Sequence, residues 1–143
     1  MDIEIKTLKK RHFDDFKKLN DKLIEFEQKN TICPFDEDDY EYTLDYFIDT
    51  NEEIKRFGAF DDGKLIGIIE YDLIEHLISG LYVEKDYRKN GIATSLIKRC
   101  VKYHKKHFKG EEIFISAFDY NERAKRLYEE IGFKKHKITY ALF

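Results

Sequence analysis

The chain has 143 residues, 42% of them hydrophobic and 15% aromatic, enough for a single domain whose core needs no disulfide framework. Its 26 basic and 29 acidic residues leave a net charge of -3, which argues against nucleic acid as the main partner, because such domains carry a basic excess. Cys33 and Cys100 are too few for a zinc site, the N-terminus lacks an apolar signal block, and no run approaches membrane-spanning length, so a soluble, metal-free, cytoplasmic domain over 1–143 is expected.

Ile3 and Ile5 alternate with polar residues as a short first strand. Phe13, Phe16, Leu19, Leu23, Ile24 and Phe26 then form the apolar stripe of a helix with a charged back, ended by Asn30 and Pro34. A second helix is expected from Asp36-Glu37-Asp38-Asp39, whose carboxylates suit the positive end of the helix dipole, through Tyr40, Leu44, Phe47 and Ile48 to Asn51. The runs 54–60 and 64–71 flank Asp61-Asp62-Gly63 and read as a hairpin.

Leu77 to Val83 reads as a largely buried strand in which Gly80 invites a bulge or a local splay. Ile92, Leu96, Ile97, Val101 and Phe108 recur near helical spacing, so a helix begins at Gly91 and stops near Gly110. Glu112 to Phe118 is expected as another strand. Asn121 caps a helix to Ile131 that carries Ala124, Leu127, Tyr128 and Ile131 on one face, and Gly132 ends it. Ile138, Tyr140 and Leu142 alternate in the tail, which predicts a last strand over 133–143.

A strand that feeds a helix through a glycine-bearing loop leaves first-turn backbone N–H groups without partners, and these point at any anion held there. Gly91 allows phosphate oxygens to approach the backbone, Ala93 keeps that approach narrow, and Arg88 offers a charged fork. Alone, R-x-x-G-x-A equally describes an ordinary strand-to-helix turn with solvated Arg and Lys.

Val83-x-x-x-x-Arg88-x-x-Gly91-Ile92-Ala93 resembles the acetyl-CoA-binding signature of the GNAT superfamily of N-acetyltransferases. Asn121-x-x-Ala124-x-x-x-Tyr128-x-x-x-Gly132-Phe133 is similar to that family's second signature, and the two stand in the right order with a strand pattern between them. The resemblance is firm from about Glu53 onward and loose before it. It implies an α/β (α+β) fold with a mixed, mostly antiparallel sheet of about six strands, splayed at the cofactor site and flanked by about four helices.

In that family the strands placed here at 77–83 and 112–118 part, and the pantetheine arm of acetyl-CoA lies between them. The resemblance thus assigns main-chain contacts to Leu81, Tyr82 and Val83. It gives the pyrophosphate to the loop of Arg88, Lys89, Asn90, Gly91, Ile92, Ala93 and Thr94. Asn121 and Ala124 would meet the arm from the far side, although a plain helix cap explains Asn121 equally well.

Acetyl transfer needs a neutral amine, support for the oxyanion and a proton for the departing thiolate. Tyr128 matches the family's tyrosine and is the expected general acid, while its spacing alone would make it a core residue. The position of the glutamate base found in some members falls on Leu77. Glu75, His76 and Glu70 are the nearby substitutes, with His76 best matched to neutral pH, and a water chain is the alternative.

Cys100 reads as a small core hydrophobe and Cys33 has no histidine near it in sequence, so direct attack in a ternary complex is preferred to a covalent cysteine route. The acceptor is open: Asp36, Glu37, Asp38, Asp39 and Glu41 either draw a cationic amine or form a solvated helix start. A CoA-binding sensor module without turnover is the alternative function, since Leu77 replaces the glutamate. Lys98, Arg99, Lys102, Lys105, Lys106 and Lys109 read as a solvated helix back rather than a nucleic-acid surface. Monomer and homodimer remain equally compatible with the sequence.

Overall fold

Asp62 and Gly63 both take left-handed backbone angles, φ 48° and 83°, and this two-residue turn matches the twist of the strands it joins. The strands are β2 (Ile54–Asp61) and β3 (Lys64–Asp72), which pair antiparallel from Asp61↔Lys64 to Ile54↔Asp72 in the computed structural model, whose described residues are 1–33 and 41–143. β1 (Ile3–Thr7) pairs antiparallel with β2, and β4 (Leu77–Val83) antiparallel with β3. β5 (Phe114–Ile115) adds to β4 in parallel, so the sheet is mixed, five-stranded and ordered β1-β2-β3-β4-β5.

Alternation along the strands divides the core between the sheet's two faces. On one face α3 (Ile92–His107) lays Ile92, Leu96, Ile97 and Cys100 against Phe57, Ile66, Ile69, Tyr71 and Ile78. On the other, α1 (Phe13–Asn30) and α2 (Leu44–Asp49) bring Phe13, Phe16, Leu19 and Phe47 onto Phe60, Leu65 and Ile68. α4 (Glu122–Ile131) follows β5, with Asn121 Oδ1 accepting the Ala124 N–H at 3.0 Å as its cap.

α2 is shorter than its sequence suggests. Thr43 Oγ1 accepts from the Tyr46 N–H at 3.1 Å and fixes the start at Leu44, while Glu41 and Tyr42 are not helical. The acidic run Asp36-Glu37-Asp38-Asp39 and Tyr40 lie outside the described residues.

Arg56 ties α2 to the sheet. Buried at 3% exposure, it donates from Nε to Tyr42 Oη (2.6 Å) and Glu70 Oε2 (3.1 Å), and from its terminal nitrogens to the Phe47 carbonyl and Thr50 Oγ1. Tyr42 Oη in turn donates to Glu70 Oε2 at 2.6 Å, which closes a satisfied network around a buried charge pair.

Two expected strands fare differently at the C-terminal end. Only Phe114 and Ile115 of the 112–118 run join the sheet, and residues 133–143 carry no strand. Ile138, Tyr140 and Leu142 are exposed, so the alternation that suggested a sixth strand has no sheet edge beside it among the described residues. Period-two patterning shows which side chains could share a face; a strand also needs a partner backbone.

Candidate active site

β4 meets β5 at two positions only, Leu77↔Phe114 and Ile78↔Ile115. Its pairing with β3 slips between Ile68↔Tyr82 and Glu70↔Ser79, where β4 carries an extra residue and Gly80 takes φ 64°. The bulge turns β4 as β5 ends, so from Ser79 to Val83 the β5-facing edge has no strand partner among the described residues. A groove of about 320 Å³ opens there. Ile78 to Leu81 form one wall and Ile115 to Phe118 the other, with Leu23, Phe26 and Glu27 of α1, Tyr120, the α4 cap Asn121 and Tyr128 of α4 around them.

Past Val83 the chain makes a single 3-10 turn at Lys85–Tyr87 and enters α3. Tyr87 Oη donates to Asp61 Oδ2 at 2.7 Å, and Asn90 Nδ2 donates to the carbonyls of Tyr87 and Arg88, each at 3.1 Å. Lys89 (φ 66°) and Gly91 (φ 74°) are left-handed, which glycine adopts without strain. The first intrahelical bond runs from the Ser95 N–H to the Gly91 carbonyl at 3.0 Å, so the N–H groups of Ile92, Ala93 and Thr94 precede it. No side chain caps this end, and a Cβ on Gly91 would meet nothing within 4 Å. The turn is thus an open cluster of backbone donors at a helix N-terminus, the geometry that favours phosphate.

Arg88 does more locally than its sequence position suggests. Its Nε donates to the Val83 carbonyl at 2.9 Å, and its guanidinium lies 5.3 Å from the centre of the Tyr82 ring. It braces the end of β4 on the loop it serves.

Tyr128 Oη reaches the Ser116 carbonyl at only 3.4 Å, a weak contact across the groove. Burial, with a smaller contribution from the Glu27 carboxylate, pushes the phenol up to about 12. Tyr120, on the turn before α4, is raised by the same two causes in the same order, and its Oη is buried with no hydrogen-bond partner. Glu27 is half-buried, and burial pushes its carboxyl above the ordinary range.

Glu27 and Tyr120 escape the motif reading. The trace of Glu27 lies in the helical stripe: Phe16, Leu19 and Leu23 set a face on which Glu27, four residues past Leu23, stands where another apolar residue would fit. Tyr120 has no such pattern around it.

Glu75 is exposed in the β3–β4 turn, and the His76 ring packs on Phe108 and His104 of the α3 end, with centroids 4.5 and 5.0 Å away. Neither lines the groove. Glu70 is engaged by Arg56 and Tyr42. Cys100 is buried, its thiol pushed up to about 12 by that burial, whereas Cys33 is exposed. Lys98, Arg99, Lys102, Lys105 and Lys106 are exposed on α3. Among the described residues no group of His, Cys, Asp or Glu side chains could hold a metal, and no helix is long and apolar enough to cross a membrane.

A strand edge left open by a bulge, running into a glycine-turned helix start, defines the fold of an acetyltransferase. The chain belongs to the Acetyltransferase (GNAT) family, whose family model matches residues 20–133. It is 38% identical over 63 residues to an N-alpha-acetyltransferase of Saccharolobus solfataricus, covering 44% of this chain and 37% of that protein. It is 24% identical over 90 residues to a probable spermine N(1)-acetyltransferase of Bacillus subtilis subsp. natto, covering 56% and 59%. These matches span less than two thirds of either relative. The fold is that of the PaiA N-acetyltransferase from Thermoplasma acidophilum, solved in complex with coenzyme A, with a TM-score of 0.79 at 21% identity over 97% of this chain and 94% of the other.

Proposed function

We propose that the protein is an N-acetyltransferase that moves the acetyl group of acetyl-CoA to a primary amine by direct attack in a ternary complex. The observation that carries this is the open β4 edge from Ser79 to Val83, which leads into the Gly91 turn and faces Tyr128 across the groove. Main-chain groups of Leu81 and Val83, on either side of Tyr82, suit an extended amide-bearing arm lying along that edge like an added strand. The first-turn N–H groups of Ile92, Ala93 and Thr94 suit the pyrophosphate, with Lys89 and Asn90 flanking it. Asn121 caps α4 at the groove's edge, and Ala124 stands at the cap bond.

Tyr128 is the proton donor to the departing sulfur in this reading. At about 12 the phenol stays protonated throughout the working range. Outright transfer from it to a thiolate of pKa ~8.5 runs uphill, so the phenol acts as a relay. It gives its proton to sulfur as it takes one from the nitrogen of the collapsing intermediate.

The two relatives are named for different amines, an α-amine and spermine, and both are consistent with a primary amine acceptor here. Asp36, Glu37, Asp38 and Asp39, next to Glu41 in sequence, would favour a cationic one. Thiol release from acetyl-CoA, measured over peptides, polyamines, simple alkylamines and free amino acids, tests the reading. Release with none of them, alongside tight CoA binding, would make this a CoA-binding module without turnover.

A further inference from the structure

Glu27 is the sole charged side chain in the groove lining formed by the described residues. The rest of the lining is apolar, aromatic, or neutral and polar, and no Lys or Arg contributes to it. Glu27 makes no ion pair or side-chain hydrogen bond with any described residue, and the Tyr120 Oη opposite is buried without a partner. A half-buried carboxylate lacking a cation and a buried hydroxyl lacking an acceptor both cost stability. The two occur together, in a groove that Tyr128 also lines. A cation seated between them would offset both costs.

Resting on the acetyltransferase reading above, we propose that Glu27 anchors the acceptor's ammonium group and takes the proton that must leave before the amine can attack. The N–H bond breaks and a carboxyl O–H forms on Glu27, which frees the nitrogen lone pair. The lone pair attacks the thioester carbonyl, a C–N bond forms, and the C–S bond breaks as the tetrahedral carbon collapses. The second nitrogen proton passes through Tyr128 to the sulfur. The products are the N-acetylated amine, free CoA thiol and one proton, which Glu27 returns to solvent. A carboxyl raised by burial is better matched to this task near neutrality than an ordinary glutamate.

The surroundings narrow the acceptor. Phe118 and Tyr120 stack with ring centres 5.6 Å apart at 11°, and Phe26 meets Tyr120 edge-on at 6.2 Å. Aromatic faces beside a carboxylate suit a cation on an aliphatic stem. A free amino acid would bring its own carboxylate against Glu27, so the acceptor is an amine with no anion next to the nitrogen.

Among the described residues the titratable groups facing Glu27 are the phenols of Tyr120 and Tyr128; β4 presents only the non-titratable Ile78, Ser79, Gly80 and Leu81. An acidic limb in the rate profile therefore reports Glu27. The experiment measures kcat/KM against pH for the full chain with acetyl-CoA and butylamine, spermidine or a lysine-containing peptide. In the wild type kcat/KM rises as Glu27 ionises and then levels.

Glu27→Gln should lower it about 10²–10⁴-fold near neutral pH, with CoA affinity by calorimetry unchanged. Its rate should climb through the whole range in proportion to the neutral amine, without levelling. Glu27→Leu, which continues the apolar stripe, carries the same expectation should the first variant fold poorly. Glu27→Asp should keep the acidic limb. A wild-type rate and profile in the Gln or Leu protein would overturn the role of Glu27 and leave the acetyltransferase intact. A wild type that turns over none of these amines would overturn the acetyltransferase reading itself, and this role with it.

Discussion

A Cβ placed on Gly80 would lie 3.0 Å from Oε1 of Glu70, whose other oxygen is held by Arg56 and Tyr42. The bulge that turns β4 away from β5 is thus seated directly on the buried ion pair that fastens α2 to the sheet. The shape of the groove and the placement of the helices beside it share one anchor.

Gly80→Ala should therefore affect stability and substrate binding together. The left-handed backbone at φ 64° costs a non-glycine residue roughly 1–3 kcal/mol, and the methyl adds a contact with Glu70. Urea denaturation should show that loss, and the KM for acetyl-CoA should rise more than kcat falls.

Gly91→Glu should abolish CoA binding if the proposed site is right, since a carboxylate would stand beside the first-turn N–H groups of α3 to which the pyrophosphate is assigned. Strain at φ 74° also destabilises the variant, by on the order of 1 kcal/mol or a few degrees in Tm. Gly91→Asn, which tolerates this conformation without adding charge, separates the two effects. Calorimetry should find CoA affinity largely kept in the Asn protein and absent in the Glu protein; equal affinity in both would remove the loop from the binding site.

Tyr128→Phe keeps the ring against Phe133 and removes only a hydroxyl whose one hydrogen bond among the described residues is a 3.4 Å approach to Ser116. Stability should barely change. Loss of a general acid should lower kcat about 10²–10⁴-fold with CoA affinity little altered, and an unimpaired variant would return Tyr128 to a packing role.

Glu27 also makes a prediction about pH and stability. Its carboxyl is raised above the ordinary 4.5 by burial. The folded state therefore favours the protonated form, and that contribution is full below the ordinary value and lost as pH rises through the folded one. At neutral pH the wild type carries a desolvated carboxylate, so Glu27→Gln should melt higher than wild type, and the difference should fade on acidification. A constant difference across pH, by thermal unfolding, would mean the carboxylate is solvated.

Elements whose boundaries rest on local chemistry were legible in the sequence. The Asp62-Gly63 turn, the glycine before α3 and the Asn121 cap each determine their own backbone geometry, and the structure shows all three. β5 and the tail depend instead on a neighbouring strand, which no local pattern reports, so the strand expected over 112–118 becomes a two-residue strand. The second signature points to the groove because Asn121 and Tyr128 line it, and the first names the turn that follows β4 into α3. Glu27 was hidden because motifs are read along one segment, whereas its role comes from α1 crossing above β4 and from facing phenols that follow β5.

The meagre joint between β4 and β5 sets how the molecule breathes. With two residue pairs linking them, the segment from β5 onward is held chiefly by side-chain packing of α4 on the sheet, and cooperative units form where backbone bonding is dense. Amide hydrogen exchange should therefore be fast at 116–118 and at the amides of Ser79–Val83 that face the open edge, while β2, β3 and the β3-facing amides of β4 stay protected. A ligand laid along the open edge would supply the missing ladder, so CoA should slow exchange on both walls at once and raise Tm in step with its concentration. On the proposed function, the gap that admits the substrate would make the substrate a structural member of the sheet.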